Sequence, residues 1–321
     1  MKKIILTTLM ITTLIVSFIV IKRTQKTNSS TTLTIGILQT ASHPALDASR
    51  DGFIEELKNK MDNNIEFITQ NAQGSVAQAH TIAQQFHANK NITGFFAIAT
   101  PAAQAMSALE KERPIFIAAV TDPNALGLLH PTTNVCGVKD MINVKAEIEM
   151  LTQLIPHAKT VGLIYTSGET NSNALVQQMA IELRSHNLNY ITFAISNESD
   201  LQTVVELACR KTDVILAPTD NTIASAISLI AEITLKNKKP LIVSDNMLIK
   251  FGALAARGVD YKASGRKAAQ IAYEVVTNNK KPHELPVEQA KNEQIVINKK
   301  SLKILELTIP ETLKKDDIIF V

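Results

Sequence analysis

Residues 95–106 read FFAIATPAAQAM, an apolar run over Phe95–Ala99 that passes through Thr100-Pro101 into alanines and a methionine at helical spacing. Residues 214–226, VILAPTDNTIASA, repeat this order of strand, polar turn and helix. Short apolar strands that alternate with helices are typical of parallel, doubly wound sheets. Both stretches therefore predict an α/β protein in which strand ends lead directly into helix starts.

The same alternation extends along most of the chain and forms two sets of elements that meet near residues 135–143. The predicted strands cover 33–38, 65–69, 95–99, 114–120, 160–165, 190–195, 214–217, 241–244 and 253–259, with a β-like stretch at 294–298. The predicted helices cover 47–60, 75–89, 101–111, 143–154, 172–186, 199–209, 221–236 and 264–278. Open α/β sheets bind ligands at the carboxyl ends of their strands, so two facing lobes would hold a ligand between them.

The N-terminus contains an uncharged segment, residues 4–21, which follows Lys2-Lys3. At about 1.5 Å per residue this helix would span roughly 27 Å, close to the hydrocarbon core of a bilayer. No Ala-x-Ala cleavage site follows it and no cysteine lies near it. We therefore interpret residues 4–21 as an uncleaved anchor, with a cleaved export signal as the alternative.

The basic excess of the sequence lies in this N-terminal segment, because residues 1–26 carry five Lys or Arg and no acid. The remainder has 28 basic and 30 acidic residues and is close to neutral. This balance argues against a nucleic-acid-binding protein, which usually has a clustered basic face. The two cysteines, Cys136 and Cys209, lie in apolar surroundings and are interpreted as buried thiols.

Polar residues follow the predicted strands at several places. Thr100 can cap a helix whose second residue is Pro101, and the amides of Ala102 and Ala103 would then point outward and attract an anion. Carboxylates at other strand ends would suit an ammonium group, so together these groups suit a zwitterion such as an amino acid. These strand-end groups are Thr121-Asp122, Asn171-Ser172, Asp220-Asn221 and Ser244-Asp245. Ordinary helix caps and turns remain the alternative interpretation of each.

Catalytic motifs are absent from the sequence. There is no Gly-x-Ser-x-Gly, no His-Glu-x-x-His, no phosphate-binding Gly-x-x-x-x-Gly-Lys and no Gly-x-Gly-x-x-Gly. The seven histidines are scattered, and His43, which precedes Pro44, is interpreted as a loop cap rather than a ligand contact. We therefore expect neither an enzyme nor a bound cofactor or metal.

Several long motifs, in this order, resemble a known family. They are TIGILQTASHPALDASRDGF (34–53), NAQGS (71–75), ATPAAQA (99–105), AAVTDPNALGL (118–128), IPHAKTVGLIY (155–165), APTDNTIASA (217–226), SDN (244–246) and GALAARGVDYKASGRKAAQIAYEVV (252–276). The chain resembles the substrate-binding proteins of ABC importers, in the group that includes a binder of tryptophan and other aromatic amino acids. The resemblance covers residues 33–310.

The resemblance implies a type I periplasmic-binding-protein fold, with two doubly wound Rossmann-like lobes joined by a hinge and preceded here by the hydrophobic helix. The implied division is a signal or anchor helix and linker at 1–31, an N-terminal lobe at 32–140 plus 262–283, and a C-terminal lobe at 141–261 plus 284–321. The implied ligand-binding residues are Gln39, Thr100, Ala102, Ala103, Thr121 and Asp122 in the first lobe, Asn171, Ser172, Asp220, Asn221 and Asp245 in the second, and Asp260 where the chain crosses back. We expect Asp220→Ala to weaken ligand binding without unfolding the protein.

The resemblance also implies the partners: a small, amino-acid-like ligand and an ABC permease driven by a separate ATPase. The protein would be exported, periplasmic or at the cell surface, and tethered through residues 4–21, because the lipid-carrying cysteine of many relatives is missing. Tryptophan is absent and aromatic residues are few, so an aromatic-stacking pocket is not evident. The alternative function is a membrane-anchored ligand sensor of the same fold.

Overall fold

The structure, a computed structural model, describes residues 33–290, 294–313 and 318–321. The first set of elements is β1 (Leu33–Gln39), α1 (Pro44–Lys60), β2 (Ile65–Asn71), α2 (Val76–Ala88), β3 (Gly94–Ile98), α3 (Thr100–Leu109), β4 (Ile115–Val120) and β5 (Val135–Lys139). The second is α4 (Val144–Leu154), β6 (Thr160–Thr166), α5 (Thr170–Ser185), β7 (Asn189–Ile195), α6 (Leu201–Lys211), β8 (Val214–Ala217), α7 (Asn221–Ser225), α8 (Ile227–Lys236), β9 (Leu241–Val243) and β10 (Ala255–Gly258). The remaining elements are α9 (Tyr261–Asn278), β11 (Glu288–Gln289), β12 (Gln294–Ile297), α10 (Lys299–Ile304) and β13 (Ile318–Phe320).

Within the described residues the strands form two sheets, and we call each sheet with the helices packed on it a lobe. The first sheet has the order β11-β5-β4-β3-β1-β2 and the second β13-β12-β10-β9-β8-β6-β7. The central pairs of both sheets are parallel, and β12 is antiparallel to β10. The two-sheet α/β architecture predicted from the alternating pattern is thus confirmed.

The core of the first lobe is held by strands that are apolar on both faces. Every residue of β3 and β4 is buried, as expected for central strands of a parallel sheet covered on both sides. On one face, the ring of Phe53 from α1 stacks on that of Phe96 with centroids 3.8 Å apart. This packing holds α1 against β3, and the carboxyl end of β3 leads into the candidate site.

Helix α9 returns to the first lobe from the second and packs against α1. Two glycines permit this close approach, since a Cβ on Gly265 would lie 1.9 Å from the carbonyl oxygen of Ser49 and a Cβ on Gly52 would lie 2.3 Å from that of Lys262. The chain then adds β11 to the first sheet beside β5 and enters the second sheet at β12. The chain therefore passes between the sheets three times.

The boundaries differ from the sequence-based prediction in specific places. The predicted C-terminal lobe included residues 284–321, but β11, Glu288–Gln289, pairs with the first sheet. Strand β5, α10 and β13 were not predicted, and the predicted helix 221–236 is divided at Ala226 into α7 and α8. The division into lobes at the predicted residue numbers stays a prediction.

The predicted N-terminal helix and linker, residues 1–31, lie outside the described residues. No helix in the part of the chain that the structure describes is long and apolar enough to cross a membrane. Cys136 and Cys209 are buried and free, as expected.

Candidate ligand-binding site

A small enclosed space, here called the polar cavity, lies between the two lobes. Its volume is about 30 Å³, enough for one or two water molecules. Each lining segment follows the carboxyl end of a strand of one sheet or the other. The lining residues are His43, Leu46, Ala99, Ala119, Thr121, Asp140, Asn171, Pro218, Thr219, Asp220, Asn221, Ala224, Asp245, Leu248 and Tyr261. The predicted meeting of strand ends therefore occurs between the sheets.

Two buried carboxylates, Asp140 and Asp245, line the polar cavity. Burial raises the pKa of Asp140 to about 6, against the hydrogen bond of 2.9 Å that its Oδ2 accepts from the hydroxyl of Tyr261. Burial and the neighbouring charge of Asp140 raise the pKa of Asp245 to about 7, although its Oδ1 accepts the Met247 amide at 2.8 Å. Among the described residues that line the polar cavity there is neither Lys nor Arg. This lining is therefore acidic and supplies no cationic side chain to balance the two carboxylates.

Three unpaired acceptor atoms surround the same space. Oδ1 of Asp140, Oδ1 of Asn171 and Nδ1 of His43 are buried without a hydrogen-bond partner. Nε2 of His43 lies 3.3 Å from Oδ1 of Asn221, which can only accept, so Nε2 carries the proton. Burial lowers the pKa of His43, so its ring is neutral and Nδ1 offers a lone pair. Buried polar atoms without partners are uncommon, and here they point to a donor that the ligand would supply.

Two hydroxyls complete the polar groups. Oγ1 of Thr219 and Oγ1 of Thr100 are also buried without partners, the first in the polar cavity and the second beside it. A threonine hydroxyl can donate as well as accept. These hydroxyls could donate to a carboxylate, and the two acids could accept from a cation.

Asp220 lines the polar cavity, but both of its oxygens are used within the protein. Oδ2 accepts from the amide of Thr166 and the hydroxyl of Ser172, both at 2.7 Å, and Oδ1 accepts from the hydroxyl of Thr166 and the amide of Ile223. Its role is to join the end of β6 to the first turns of α5 and α7. The expectation that Asp220→Ala leaves the fold intact is therefore revised: we now expect this substitution to destabilise the protein.

Glu169 is a further buried acid beside this network, and the sequence analysis did not single it out. Its carboxylate accepts the amides of Asn221 and Thr222 at the start of α7. Burial and the charge of Asp220 raise its pKa to about 7. Its partners belong to the protein, so its role is structural.

The start of α3 differs from its prediction. The capping residue is Ala99, with a φ of 73°, and not Thr100. The amide of Ala102 donates to Oγ1 of Thr40 at 3.2 Å, and that of Ala103 to the carbonyl of Ala99 at 3.1 Å. The prediction that both amides point outward unpaired is wrong, because the end of β1 places Thr40 against this turn.

A second space, the apolar cavity, adjoins the first and shares Thr121 and Asn171 with it. Its volume is about 40 Å³. Like the polar cavity, it is bordered by both lobes. Its lining residues are Thr100, Thr121, Asp122, Ala125, Leu126, Met141, Thr170, Asn171, Ala174, Leu175 and Gln178. Together the two cavities form one candidate site, with Asp140 and Asp245 in the polar cavity and apolar side chains in the apolar cavity.

The predicted site residues divide into three groups. Those that line the polar cavity are Thr121, Asn171, Asp220, Asn221 and Asp245. Those that line the apolar cavity without the polar one are Thr100 and Asp122. Those that line neither are Gln39, Ala102, Ala103, Ser172 and Asp260.

The residues outside both cavities have structural partners. Gln39 is fully buried, and its amide donates to the carbonyl of Ala41 and to Asp47. Asp260 is exposed and caps α9 by accepting the Ala263 amide at 2.9 Å. Its neighbour Tyr261 is the residue that reaches the cavity.

The sequence analysis missed Asp140, Tyr261 and His43 as site residues. Asp140 directly follows β5, so the rule that selected Asp245 would have found it had that strand been predicted. Among the described residues no group of three or more His, Cys, Asp or Glu is arranged to hold a metal ion.

Residues 34–318 match the family model of the ABC transporter substrate binding proteins. The chain belongs to this family. The match confirms the resemblance in the sequence, and proteins of this family bind small-molecule ligands outside the cytoplasm and work with ABC permeases. The family evidence points to binding rather than catalysis, and it does not favour the sensor alternative.

Individual relatives agree with the family assignment. The chain is 34% identical over 304 residues to a tyrosine-binding protein of Clostridioides difficile strain R20291, which covers 92% of this chain and 87% of the relative. An ABC domain from Streptococcus pneumoniae, solved in complex with L-Trp, has a TM-score of 0.85 at 31% identity, covering 89% of this chain and 99% of that one. A ligand-free, open substrate-binding protein from Clostridium difficile has a TM-score of 0.67 at 33% identity, covering 90% of this chain and 99% of that one.

Proposed function

We propose that the protein binds a free amino acid between its two lobes and delivers it to an ABC permease. The observation that carries this proposal is the pair Asp140 and Asp245, buried in a cavity whose described lining contains neither Lys nor Arg. A buried, unpaired carboxylate is costly, and an ammonium group held by both acids would offset that cost. The ligand therefore carries at least one positive charge.

The rest of the polar cavity favours an α-amino acid over a simple amine. The free hydroxyls of Thr100 and Thr219 suit the oxygens of a carboxylate, and the neutral donors would bind it without a cationic side chain. Relatives that bind tyrosine and L-Trp, at 34% and 31% identity, support an amino acid with a large side chain. On this proposal the protein is not an enzyme, because the family to which it belongs is one of substrate-binding proteins.

The lobes would close on the ligand. The structure is more similar to the L-Trp complex than to the ligand-free, open protein, with TM-scores of 0.85 and 0.67 at nearly equal identity. Side-chain hydrogen bonds bridge the lobes, and among them are those of His43 with Asn221 at 3.3 Å and of Thr170 with Gln104 at 3.2 Å. We interpret this arrangement as the closed state.

We also propose that residues 4–21 are the anchor that keeps the protein at the outer face of the membrane.

The test is calorimetric titration of the full-length protein in mild detergent, after denaturation and refolding to remove co-purified ligand, with each of the common amino acids. A ligand present at 100 times its Kd raises the free energy of unfolding by about 2.7 kcal/mol, so thermal unfolding checks the same result. Binding of one class of amino acid, lost when the ammonium group is removed, is the expected outcome. No binding of any amino acid would overturn the proposal.

A further inference from the structure

The apolar cavity follows one face of helix α5. Its lining residues Asn171, Ala174, Leu175 and Gln178 are spaced by three, four and seven residues, which places them on the same side of a helix. Asn171 also borders the polar cavity. Gln178 lies two turns further along, at a rise of roughly 10 Å. The cavity thus extends away from the acids in a direction set by α5.

The walls of this cavity are apolar and come from both lobes. Leu126 approaches from the turn after β4, Met141 from the segment that leaves the first sheet, and Leu175 from α5. The small side chains of Ala125 and Ala174 leave the space between them open. A molecule with its charged groups among the acids would place its uncharged part here.

The outer end of the cavity is polar. The side chain of Gln178 is exposed, and its amide has no hydrogen-bond partner among the described residues. The amide can both donate and accept, so it suits a hydroxyl or a ring N–H at the end of a ligand side chain. A side chain that ends in carbon would displace water from this amide without replacing its hydrogen bond.

We infer that the apolar cavity receives the ligand's side chain and that Gln178 is a specificity-determining residue that favours an aromatic side chain with a polar outer end. Tyrosine and tryptophan have such an end, and phenylalanine and leucine do not. The inference rests on the proposed function, because it assumes that the ammonium group lies at Asp140 and Asp245.

The first experiment compares tyrosine with phenylalanine on the full-length protein, using Gln178→Ala and, as a matched control, Gln177→Ala. Gln177 is the adjacent, exposed glutamine of α5 and lines neither cavity. We expect Gln178→Ala to reduce the preference for tyrosine roughly three- to tenfold, the effect of one neutral hydrogen bond, while phenylalanine affinity stays unchanged. An unchanged preference, or an equal loss in the control, overturns the role of Gln178.

The second experiment fills the cavity with Ala174→Leu and measures tyrosine and alanine. In the wild type, alanine should bind at least tenfold more weakly than tyrosine, because its side chain ends before the apolar cavity. The variant should lose tyrosine affinity at least tenfold and keep that for alanine, whose contacts are with the polar cavity. Equal wild-type affinities for both, or an unaffected tyrosine affinity in the variant, overturn the inference and leave the proposed function standing. Failure of the wild type to bind any amino acid overturns the proposed function itself.

Discussion

Asp140 and Asp245 are the residues on which the proposed function depends most directly. Both are buried. Asp140 accepts the hydroxyl of Tyr261 and has a further side-chain hydrogen bond with Thr121, while its Oδ1 has no partner among the described residues. Asp245 accepts the amide of Met247. Without a ligand burial leaves both carboxylates poorly solvated, which raises both pKa values, and the neighbouring charge of Asp140 raises that of Asp245 further. The site therefore stores unfavourable electrostatic energy that a bound ammonium group releases.

Asp245→Asn tests this directly. Asparagine keeps the oxygen that accepts the Met247 amide but removes the charge, so the fold should be at least as stable at pH 8. Amino acid affinity should fall roughly 30-fold or more, as when one partner of a buried charged hydrogen bond is removed. The matched control is Asp260→Asn, which changes an exposed aspartate that caps α9 outside the cavity. Calorimetry measures both, and equal effects on affinity would contradict the assignment.

Amino acid affinity should also depend on pH. An ammonium group requires ionised acids, whose pKa values are about 6 for Asp140 and about 7 for Asp245 without ligand. Affinity should rise from pH 5 to pH 8, and binding should release protons, which titrations in buffers of different ionisation enthalpy detect. A Kd that is constant across this range would contradict the role of these acids.

The free energy of unfolding of the ligand-free protein should fall, not rise, as the pH increases over this range. The folded-state pKa values of both acids exceed the unfolded value near 3.9, so the native state holds more protons between about pH 4 and pH 7. Their contribution to stability is therefore fully present below pH 4 and is lost as pH rises toward 7. Glu169 has the same sign, so a comparison of the wild type with Asp245→Asn isolates the site.

For single residues, the sequence predicts which side chains follow a recognised strand. It does not predict contacts between residues that are distant along the chain. Asp245 and Asn171, which the chain alone predicts at strand ends, both line the polar cavity. The pairing of the Ala102 amide with Thr40 was not predicted, because the two residues are 62 positions apart and meet only when β1 lies beside β3. Local patterns show which groups stand at a strand end but not which of them the fold already uses.

At the scale of elements, the contact between α1 and α9 holds the returning chain against the first lobe. Gly265→Ala should cost about 2–3 kcal/mol of stability, because its Cβ would lie 1.9 Å from the carbonyl oxygen of Ser49. Gly168→Ala is the control, since a Cβ there meets nothing within 4 Å, and it should change stability by about 0.5 kcal/mol or less. Urea unfolding measures both, and similar midpoints for the two variants would show that the helices can separate at little cost.

Asp220 acts on elements rather than on the ligand alone. Asp220→Ala removes the acceptor for four donors that join β6, α5 and α7, and should cost about 3 kcal/mol or more. Asp260→Ala, which removes a single capping bond, should cost about 1 kcal/mol. Thermal unfolding separates the two, and a smaller loss for Asp220→Ala would restore the view that it serves the ligand.

The elements were predicted best where a pattern is strong and local. Strands β3 and β4 are uninterrupted apolar runs, and their predicted bounds are within one residue of the observed ones. Strand β5 contains a glycine and a cysteine and follows a long loop, so its pattern is weaker. The pairing of the two-residue strand β11 with β5 depends on residues 150 positions apart, Glu288 and Val138, and has no local signal.

For the whole molecule, a ligand can control closure only if the contacts between the two lobes are too weak to close them without it. Both bridging pairs described above are neutral: His43 with Asn221 is buried and Thr170 with Gln104 is exposed. A neutral hydrogen bond contributes only about 1 kcal/mol, so these pairs alone give closure little free energy without ligand. Small-angle X-ray scattering of the ligand-free protein should therefore show a larger radius of gyration than the protein with saturating tyrosine. Identical scattering curves in both conditions would contradict ligand-controlled closure.

The three passages of the chain between the sheets determine how far each part of the site moves when the lobes separate. Asp140 and Tyr261 lie on two of these passages, and Gln178 lies two helical turns from the nearer end of the site. Displacement in a rotation grows with distance from the axis. Asp140 and Tyr261, which lie close to the chain passages, would therefore move little when the lobes separate, and Gln178 would move more. During opening, the ligand's ammonium group would then stay bound at the acids while its side chain is already exposed to solvent. Spin labels at Gln177 and at an exposed site of the first lobe should show a wide ligand-dependent change in separation, and labels near Asp260 a narrow one.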